Sequence, residues 1–164
     1  MSGGHRGVMH DRHIYRTTLA WSGSTAPGYD AYDRAHEVSA PPAEAALALS
    51  GDPAFRGDPA RLNPEQLLVA AASSCQLLSF LAIAARSGVD IRSYTDQAEG
   101  EMPEDDLPVR ITRIVLRPVI LAGPGTPRER VQRIVEKAHE ECYIANSLRT
   151  EIAIEPTIDV VDHR

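Results

Sequence analysis

The chain has few cysteines, no excess of positive charge and no apolar run at its N-terminus. Its 164 residues include two cysteines. These are too few for a disulfide scaffold, so in a reducing compartment they are inert core residues, metal ligands or redox groups. A formal net charge of −6 disfavours nucleic acid or an anionic membrane as a partner. For residues 1–12 we expect a flexible arm rather than a signal peptide, and we expect a cytoplasmic location.

Charged residues are also absent from residues 66–85. Asn63 and Pro64 before this stretch and Gly88 after it are typical of helix ends, which predicts one long helix over residues 63–88. A helix with no charged face must be covered by protein or lipid over most of its circumference. Its serines and many alanines disfavour a membrane span. We therefore predict a buried central helix in a soluble protein, with Cys75 near its middle.

Two strands are predicted before this helix from apolar residues at period two. The first covers residues 13–21, and its half-buried side chains are expected to be Tyr15, Leu19 and Trp21. The second covers residues 32–39 and forms a hairpin with the first. A surface loop over residues 41–62 follows, with room for a helical turn at residues 43–49.

Arg34 alternates in phase with the apolar Tyr32 and Val38 in the second strand. A guanidinium on the inward face of a strand needs a carboxylate or another anion as a partner. The alternative is an edge strand with Arg34 in solvent, and the residues alone leave both possibilities open.

Three more strands and a second helix are predicted after the long helix. Alternation and turn residues indicate strands over residues 91–102, 109–121 and 151–161. The apolar phase slips near Thr112, which indicates a β-bulge or a strand buried on both faces. Residues 126–129 have the pattern of a capping box, so a helix is expected over residues 127–140. The fold class is α+β, with an antiparallel sheet wrapped around the long helix in one domain, residues 13–164.

Four segments of the sequence resemble the OsmC/Ohr family of thiol peroxidases, in its OsmC-like branch. They are YDRAHEV (32–38), NPEQLLVAAASSC (63–75), AEGEM (98–102) and AHEECYIANSL (138–148). The resemblance extends from about His13 to the C-terminus. It implies an intertwined homodimer with its sites at the subunit interface, and peroxide reduction by a cysteine pair. We expect neither a cofactor nor a metal.

The resemblance also implies roles for four residues. Cys75 matches the peroxidatic cysteine, whose thiolate attacks the peroxide and becomes a sulfenic acid. Cys142 matches the resolving cysteine, which condenses with it to an intramolecular disulfide. Arg34 and Glu65 match an arginine and a glutamate of the family's site. A dithiol, such as a lipoyl group, is the reductant in some members, and Gln76 stands where OsmC-like members often carry His.

The chemistry needs these residue types for physical reasons. Burial in mid-helix disfavours a thiolate, so a nearby guanidinium is required to stabilise the anion. Arg34 would supply it, and would also donate to the peroxide oxygens and stabilise the leaving alkoxide. Glu65 would hold Arg34 through a bidentate pair and release it when Cys75 is oxidised.

Helix geometry restricts how Glu65 can reach Cys75. Ten residues of α-helix separate the two by about 15 Å along the axis and about 80° around it, so one straight helix cannot bring both side chains to one point. Glu65 therefore either lies before the helix or approaches Cys75 from another subunit. The resemblance implies an intertwined homodimer, and small residues on the helix suit a close helix pair, so we predict a homodimer whose site combines groups from two chains.

Apolar residues near the cysteines are candidates for a substrate pocket. Leu78 and Ala82 share the helical face of Cys75, and Tyr143 and Ile144 follow Cys142. Such a lining would favour an organic hydroperoxide over hydrogen peroxide. Each of these residues could equally belong to the core.

Two other readings of the sequence compete with a peroxidase. The residues Cys75, Cys142, His139 and His36 could form a zinc-type site, although no C-x-x-C pair is present. Alternatively, the fold could hold a small apolar ligand without catalysis, with the cysteines merely nearby.

Overall fold

The structure is a computed structural model that describes residues 12–161. The arm predicted for residues 1–12 lies outside this range except for its last residue. The chain divides into two compact units, one ending at Leu62 and the other beginning at Asn63. Each unit is described by itself, and the single domain over residues 13–164 stays a prediction.

The first unit contains a three-stranded antiparallel sheet. Its strands are β1 (Thr18–Ala20), β2 (His36–Ser39) and β3 (Leu47–Leu49), in the order β1-β2-β3. The predicted pairing of the first two strands is confirmed, although both strands are shorter than expected. The helical turn expected at residues 43–49 is wrong, because the apolar end of that segment pairs with β2 instead.

The apolar side chains of the first strand are more exposed than the sequence predicts. Tyr15 is 89% exposed, Leu19 62% and Trp21 40%. Among the described residues of this unit, the only helix is the 3₁₀ turn Pro53–Phe55. Three short strands and one turn therefore offer no apolar layer within the unit that could cover these side chains.

The second unit combines three helices with two three-stranded sheets. The helices are α1 (Pro64–Arg86), α2 (Arg128–Glu140) and α3 (Tyr143–Ser147). The strands are β4 (Ile91–Asp96), β5 (Glu99–Glu101), β6 (Arg113–Leu116), β7 (Pro118–Ala122), β8 (Glu151–Ile154) and β9 (Thr157–Val160). One sheet has the order β4-β7-β9 and the other β5-β6-β8. The α+β class with a long helix is confirmed.

The sheets of the second unit are mixed rather than purely antiparallel. β4 with β7 and β5 with β6 are antiparallel pairs, whereas β6 with β8 and β7 with β9 are parallel. Each of the three predicted strands is split in two, and the halves enter different sheets. Two of the breaks lie at or next to a proline: one is Arg117, directly before Pro118, and the other includes Pro156. Proline lacks the N–H that a continuous ladder needs. The predicted two-sided burial is present in β6, where Ile114, Val115 and Leu116 are all buried.

The ends of the two longer helices test the predicted capping signals. Asn63 caps α1, because its Oδ1 accepts from the Gln66 N–H at 2.8 Å and the Gln66 side chain accepts from the Asn63 N–H at 3.1 Å. Gly88 follows with φ +65°, so the predicted bounds of α1 are confirmed to within two residues. The capping box predicted for α2 is wrong, because Pro127 rather than Thr126 is the N-cap and no side chain in the described part of the chain caps this helix.

α1 has one buried side and one uncovered side. Ala72, Gln76, Phe80 and Ala84 are buried at intervals of four residues, and the last two belong to a core shared with α2 and β7. The uncovered side is an exposed stripe, which consists of Gln66, Ala70, Ser74, Leu78, Leu81 and Ala85. α1 is long and apolar enough to cross a membrane by length and composition. Because the exposed stripe is uncovered in this single chain, the predicted burial of the helix is incomplete.

Candidate active site

The two cysteines lie together in the second unit, where α1 packs on α3. Cys75 is half-buried on α1, and Cys142 is the residue that precedes α3 and is only 1% exposed. Both are free thiols. The Cys142 thiol is hydrogen-bonded to Cys75, and the Ile144 N–H donates to the Cys75 Sγ at 3.5 Å. The fold thus brings together two thiols that are 67 positions apart in sequence.

The surroundings give the two thiols different roles. Burial, followed by the hydrogen bond with Cys75, raises the pKa of the Cys142 thiol from 9.0 to about 11, although the backbone N–H groups of Ala145 and Ile144 partly offset this rise. Cys142 therefore stays protonated at neutral pH and acts as a donor. The Cys75 sulfur is the acceptor of this contact and of the hydrogen bond from the Ile144 N–H.

A groove of about 670 Å³ opens beside Cys75. The four residues predicted for the substrate pocket, Leu78, Ala82, Tyr143 and Ile144, all line it. Cys142 is not part of its lining. The remaining lining residues are Ala71, Ser74, Ser79, Ile83, Arg86, Glu141 and Asn146. The groove thus gives a ligand access to one thiol, with the second thiol buried behind it.

Gln76 does not face the groove. It is 1% exposed, and its Nε2 donates to the Val135 carbonyl of α2 at 3.1 Å. Its Oε1 has no hydrogen-bond partner among the residues that the structure describes. In this chain, the position after Cys75 therefore serves the contact between α1 and α2.

Arg34 lies in the loop before β2, in the first unit. Its guanidinium donates to the carbonyls of Tyr32 at 3.0 Å and Tyr29 at 2.6 Å, and it lies over both tyrosine rings. Neither of the two strand positions considered for Arg34, inward or at an edge, is observed, since β2 begins two residues later. Cys75 belongs to the other unit, so the predicted pairing of Arg34 with the thiolate stays a prediction.

Glu65 lies in the first turn of α1, ten residues before Cys75. The possibility that Glu65 precedes the helix is therefore wrong, because α1 begins at Pro64. About 15 Å of helix separates the two residues within one chain. The bidentate pair of Glu65 with Arg34 stays a prediction.

Among the lining residues that the sequence analysis missed, two are charged. Arg86 is eleven residues after Cys75, which places it about 20° from Cys75 around the helix and about 16 Å along it. Glu141 directly precedes Cys142 and lines the same groove. Helical spacing could have identified Arg86, whereas nothing in the sequence indicates where Glu141 points. Within residues 12–161, no group of three or more His, Cys, Asp or Glu side chains is placed to hold a metal ion.

Comparison with known proteins identifies the family. The family model described as OsmC-like protein matches residues 57–157, which is more than half of the chain. The chain belongs to the OsmC-like family. An OsmC-like protein of unknown function from Vibrio cholerae is 30% identical to it, with a TM-score of 0.79 over 88% of this chain and 99% of the other.

Two solved structures of hydroperoxide resistance proteins share the OsmC-like fold. The organic hydroperoxide resistance protein OsmC of Legionella pneumophila is 19% identical, with a TM-score of 0.65 over 90% of this chain and 99% of its own. The organic hydroperoxide resistance protein OhrB of Bacillus subtilis is 18% identical, with a TM-score of 0.58 over 89% of this chain and 98% of its own. At these identities the likeness concerns the fold. None of the curated proteins matches the sequence.

The raised pKa of Cys142 predicts a loss of stability at alkaline pH. Because the folded chain holds the Cys142 proton up to about pH 11 and the unfolded chain releases it near pH 9, the free energy of unfolding falls as pH rises through this window. The expected loss is about 2–3 kcal/mol. Denaturant unfolding under reducing conditions, at both ends of the window, measures it.

The Cys142→Ala variant is the control for all other groups that titrate in this window. We expect its free energy of unfolding to fall less than that of the wild type, by about the amount assigned to Cys142. Equal losses in the two proteins would contradict the raised pKa.

Proposed function

We propose that this protein is a thiol peroxidase that reduces organic hydroperoxides through Cys75 and Cys142. One observation carries the proposal: the thiol of Cys142 contacts the sulfur of Cys75, and Cys75 alone of the two lines an open groove. A peroxidatic cysteine must meet the substrate, and a resolving cysteine must reach the first sulfur. The family and the fold shared with hydroperoxide resistance proteins support the same activity.

The reaction balances with these two thiols and one hydroperoxide. The thiolate of Cys75 attacks one peroxide oxygen, the O–O bond breaks, and the alkoxide leaves and takes up a proton as an alcohol. Cys75 is then a sulfenic acid. The sulfur of Cys142 attacks the Cys75 sulfur, and the hydroxyl leaves with the Cys142 proton as water. A dithiol reductant, such as a lipoyl group, then reduces the disulfide and restores both thiols.

The groove favours a hydroperoxide with an apolar body. Leu78, Ala82, Tyr143 and Ile144 offer apolar surface around Cys75, which a carbon skeleton can cover and hydrogen peroxide cannot. Leu78 is 64% and Tyr143 80% exposed, so burial of these side chains by a substrate or by a second subunit is favourable. The substrate class in this proposal is therefore the organic hydroperoxides.

We place the complete site in a homodimer. The exposed stripe of α1 leaves apolar residues such as Leu78 and Leu81 uncovered in one chain, and the helix of a second chain would cover them. Glu65 and Cys75 of one chain are held apart by the length of α1. In the proposed site, Glu65 therefore comes from the partner chain, and it orients Arg34, whose guanidinium stabilises the thiolate of Cys75.

Turnover of an organic hydroperoxide tests the proposed activity. With cumene hydroperoxide and a dithiol as reductant, Cys75→Ser should lower kcat/KM by about 10³-fold or more, because the attacking sulfur is lost. Cys142→Ser should consume one equivalent of peroxide and then stall, because the sulfenic acid has no resolving partner. The control is Ser93→Ala, an exposed position on β4, which should match the wild type. Full activity of Cys75→Ser would contradict the proposal.

Subunit complementation tests the shared site. Cys75→Ser and Glu65→Ala chains, carrying different affinity tags, are co-expressed and the mixed dimer is purified. Each variant alone is impaired, whereas the mixed dimer should regain activity at one site, because the intact Cys75 of one chain meets the intact Glu65 of the other. A mixed dimer no more active than the better parent would contradict a site in which Glu65 crosses the interface. A monomer in sedimentation analysis would contradict it too.

A further inference from the structure

Arg34 lies in a local arrangement that we call the arginine cradle, formed by Tyr29 and Tyr32. The guanidinium carbon lies 3.9 Å from the centre of the Tyr32 ring and 4.8 Å from that of Tyr29. The carbonyl oxygens of the same two residues accept hydrogen bonds from Nη1 and Nη2 of Arg34. The two rings also contact each other edge to face, with centroids 6.4 Å apart. Each tyrosine thus contacts Arg34 twice, through its backbone and through its ring.

The backbone around Arg34 is fixed without help from the two rings. The Trp21 Nε1–H donates to the Asp33 carbonyl at 2.8 Å, and the Ala35 N–H donates to the Asp33 carboxylate at 2.8 Å. His36 Nδ1 lies 2.9 Å from the Arg34 carbonyl oxygen. Because these bonds hold the main chain, removing a tyrosine ring should change the orientation of the guanidinium and leave the loop in place.

The cradle holds the charge of Arg34 without neutralising it. The ion pairs within the first unit, among its described residues, are Arg56 with Asp30 and Arg61 with Asp58, and none of them involves Arg34. Ring faces and carbonyl dipoles attract a cation and leave its net charge in place. Two of the five guanidinium N–H groups are used by the carbonyls. The other three have no hydrogen-bond partner among residues 12–161, so they can bind an anion.

We infer that Tyr32, assisted by Tyr29, is a positioning residue for Arg34. The inference rests on the proposed function in one respect, namely that Arg34 serves the thiolate of Cys75. The rings fix the plane of the guanidinium before an anion is bound, so the N–H groups need not be ordered during the reaction. In this arrangement the guanidinium contacts an aromatic face on one side, and its N–H edge binds a thiolate or a peroxide oxygen.

Substitutions at Tyr32 test the inference with a matched pair. Tyr32→Phe keeps the ring and Tyr32→Leu removes it, while both keep the backbone carbonyl. We expect Tyr32→Leu to lower kcat/KM for cumene hydroperoxide, and the rate of Cys75 alkylation by iodoacetamide at neutral pH, by about threefold to tenfold. Its alkylation profile should also move to higher pH, and Tyr32→Phe should match the wild type. In an Arg34→Ala background, Tyr32→Leu should have no further effect.

The NMR signal of the Arg34 Nε–H group gives a readout that does not depend on activity. Ring currents from the cradle should shift this signal, and the shift should be largely lost in Tyr32→Leu and kept in Tyr32→Phe. Tyr29→Leu, at a 60% exposed position, should give a smaller change of the same sign. An unchanged Arg34 signal in Tyr32→Leu would overturn the cradle itself.

The alkylation rates of these variants distinguish a failure of the inference from a failure of the proposed function. If Arg34→Ala lowers the alkylation rate and Tyr32→Leu does not, the positioning role is wrong and the proposed function stands. If Tyr32→Leu lowers the rate equally with and without Arg34, the ring acts by another route and the inference is overturned. If Arg34→Ala leaves the rate unchanged, the role of Arg34 in the proposed function fails, and the inference fails with it.

Discussion

The contact between the thiols of Cys142 and Cys75 is the interaction on which the proposed chemistry depends, and three helices position it. α1 carries Cys75, the end of α2 leads directly to Cys142, and α3 supplies the Ile144 N–H that donates to the Cys75 sulfur. The packing of α1 on α2, to which Gln76 and Phe80 contribute, therefore also sets the distance between the two thiols. α1 therefore contributes both to the core of the second unit and to the proposed reaction of the two thiols.

α1 meets two demands with its two sides. Its buried side, with Ala72, Phe80 and Ala84, belongs to the core of the second unit. Its other side carries Cys75 in the groove and the exposed stripe beside it. A helix this apolar would be unfavourable in water if that side stayed uncovered. The proposed dimer accounts for the exposed stripe and for the distance between Glu65 and Cys75 within one chain. A second chain would cover the stripe and bring Glu65 near the partner's Cys75.

Local signals made part of this structure predictable. The capping residues around α1 gave its bounds, and helical spacing grouped Leu78 and Ala82 with Cys75. The arrangement of the strands is harder to predict from the sequence. Their division between two sheets, and the parallel pairing of β8 with β6 and of β9 with β7, depend on partners far away in the sequence. The approach of Cys142 to Cys75 was expected from family resemblance alone. The contacts of the tyrosines with Arg34 were not predicted, because the alternating pattern of residues 32–39 predicts a strand where the chain forms a loop before His36.

Disulfide formation by stoichiometric hydroperoxide tests the central claim most directly. The reduced protein is treated with one equivalent of cumene hydroperoxide, alkylated and digested, and the peptides are identified by mass spectrometry. The account predicts an intramolecular Cys75–Cys142 disulfide in the wild type and a Cys75 sulfenic acid, trapped by dimedone, in Cys142→Ser. Oxidation of Cys142 in a Cys75→Ser variant at the wild-type rate, or a wild type whose two thiols both remain free after the peroxide is consumed, would contradict it.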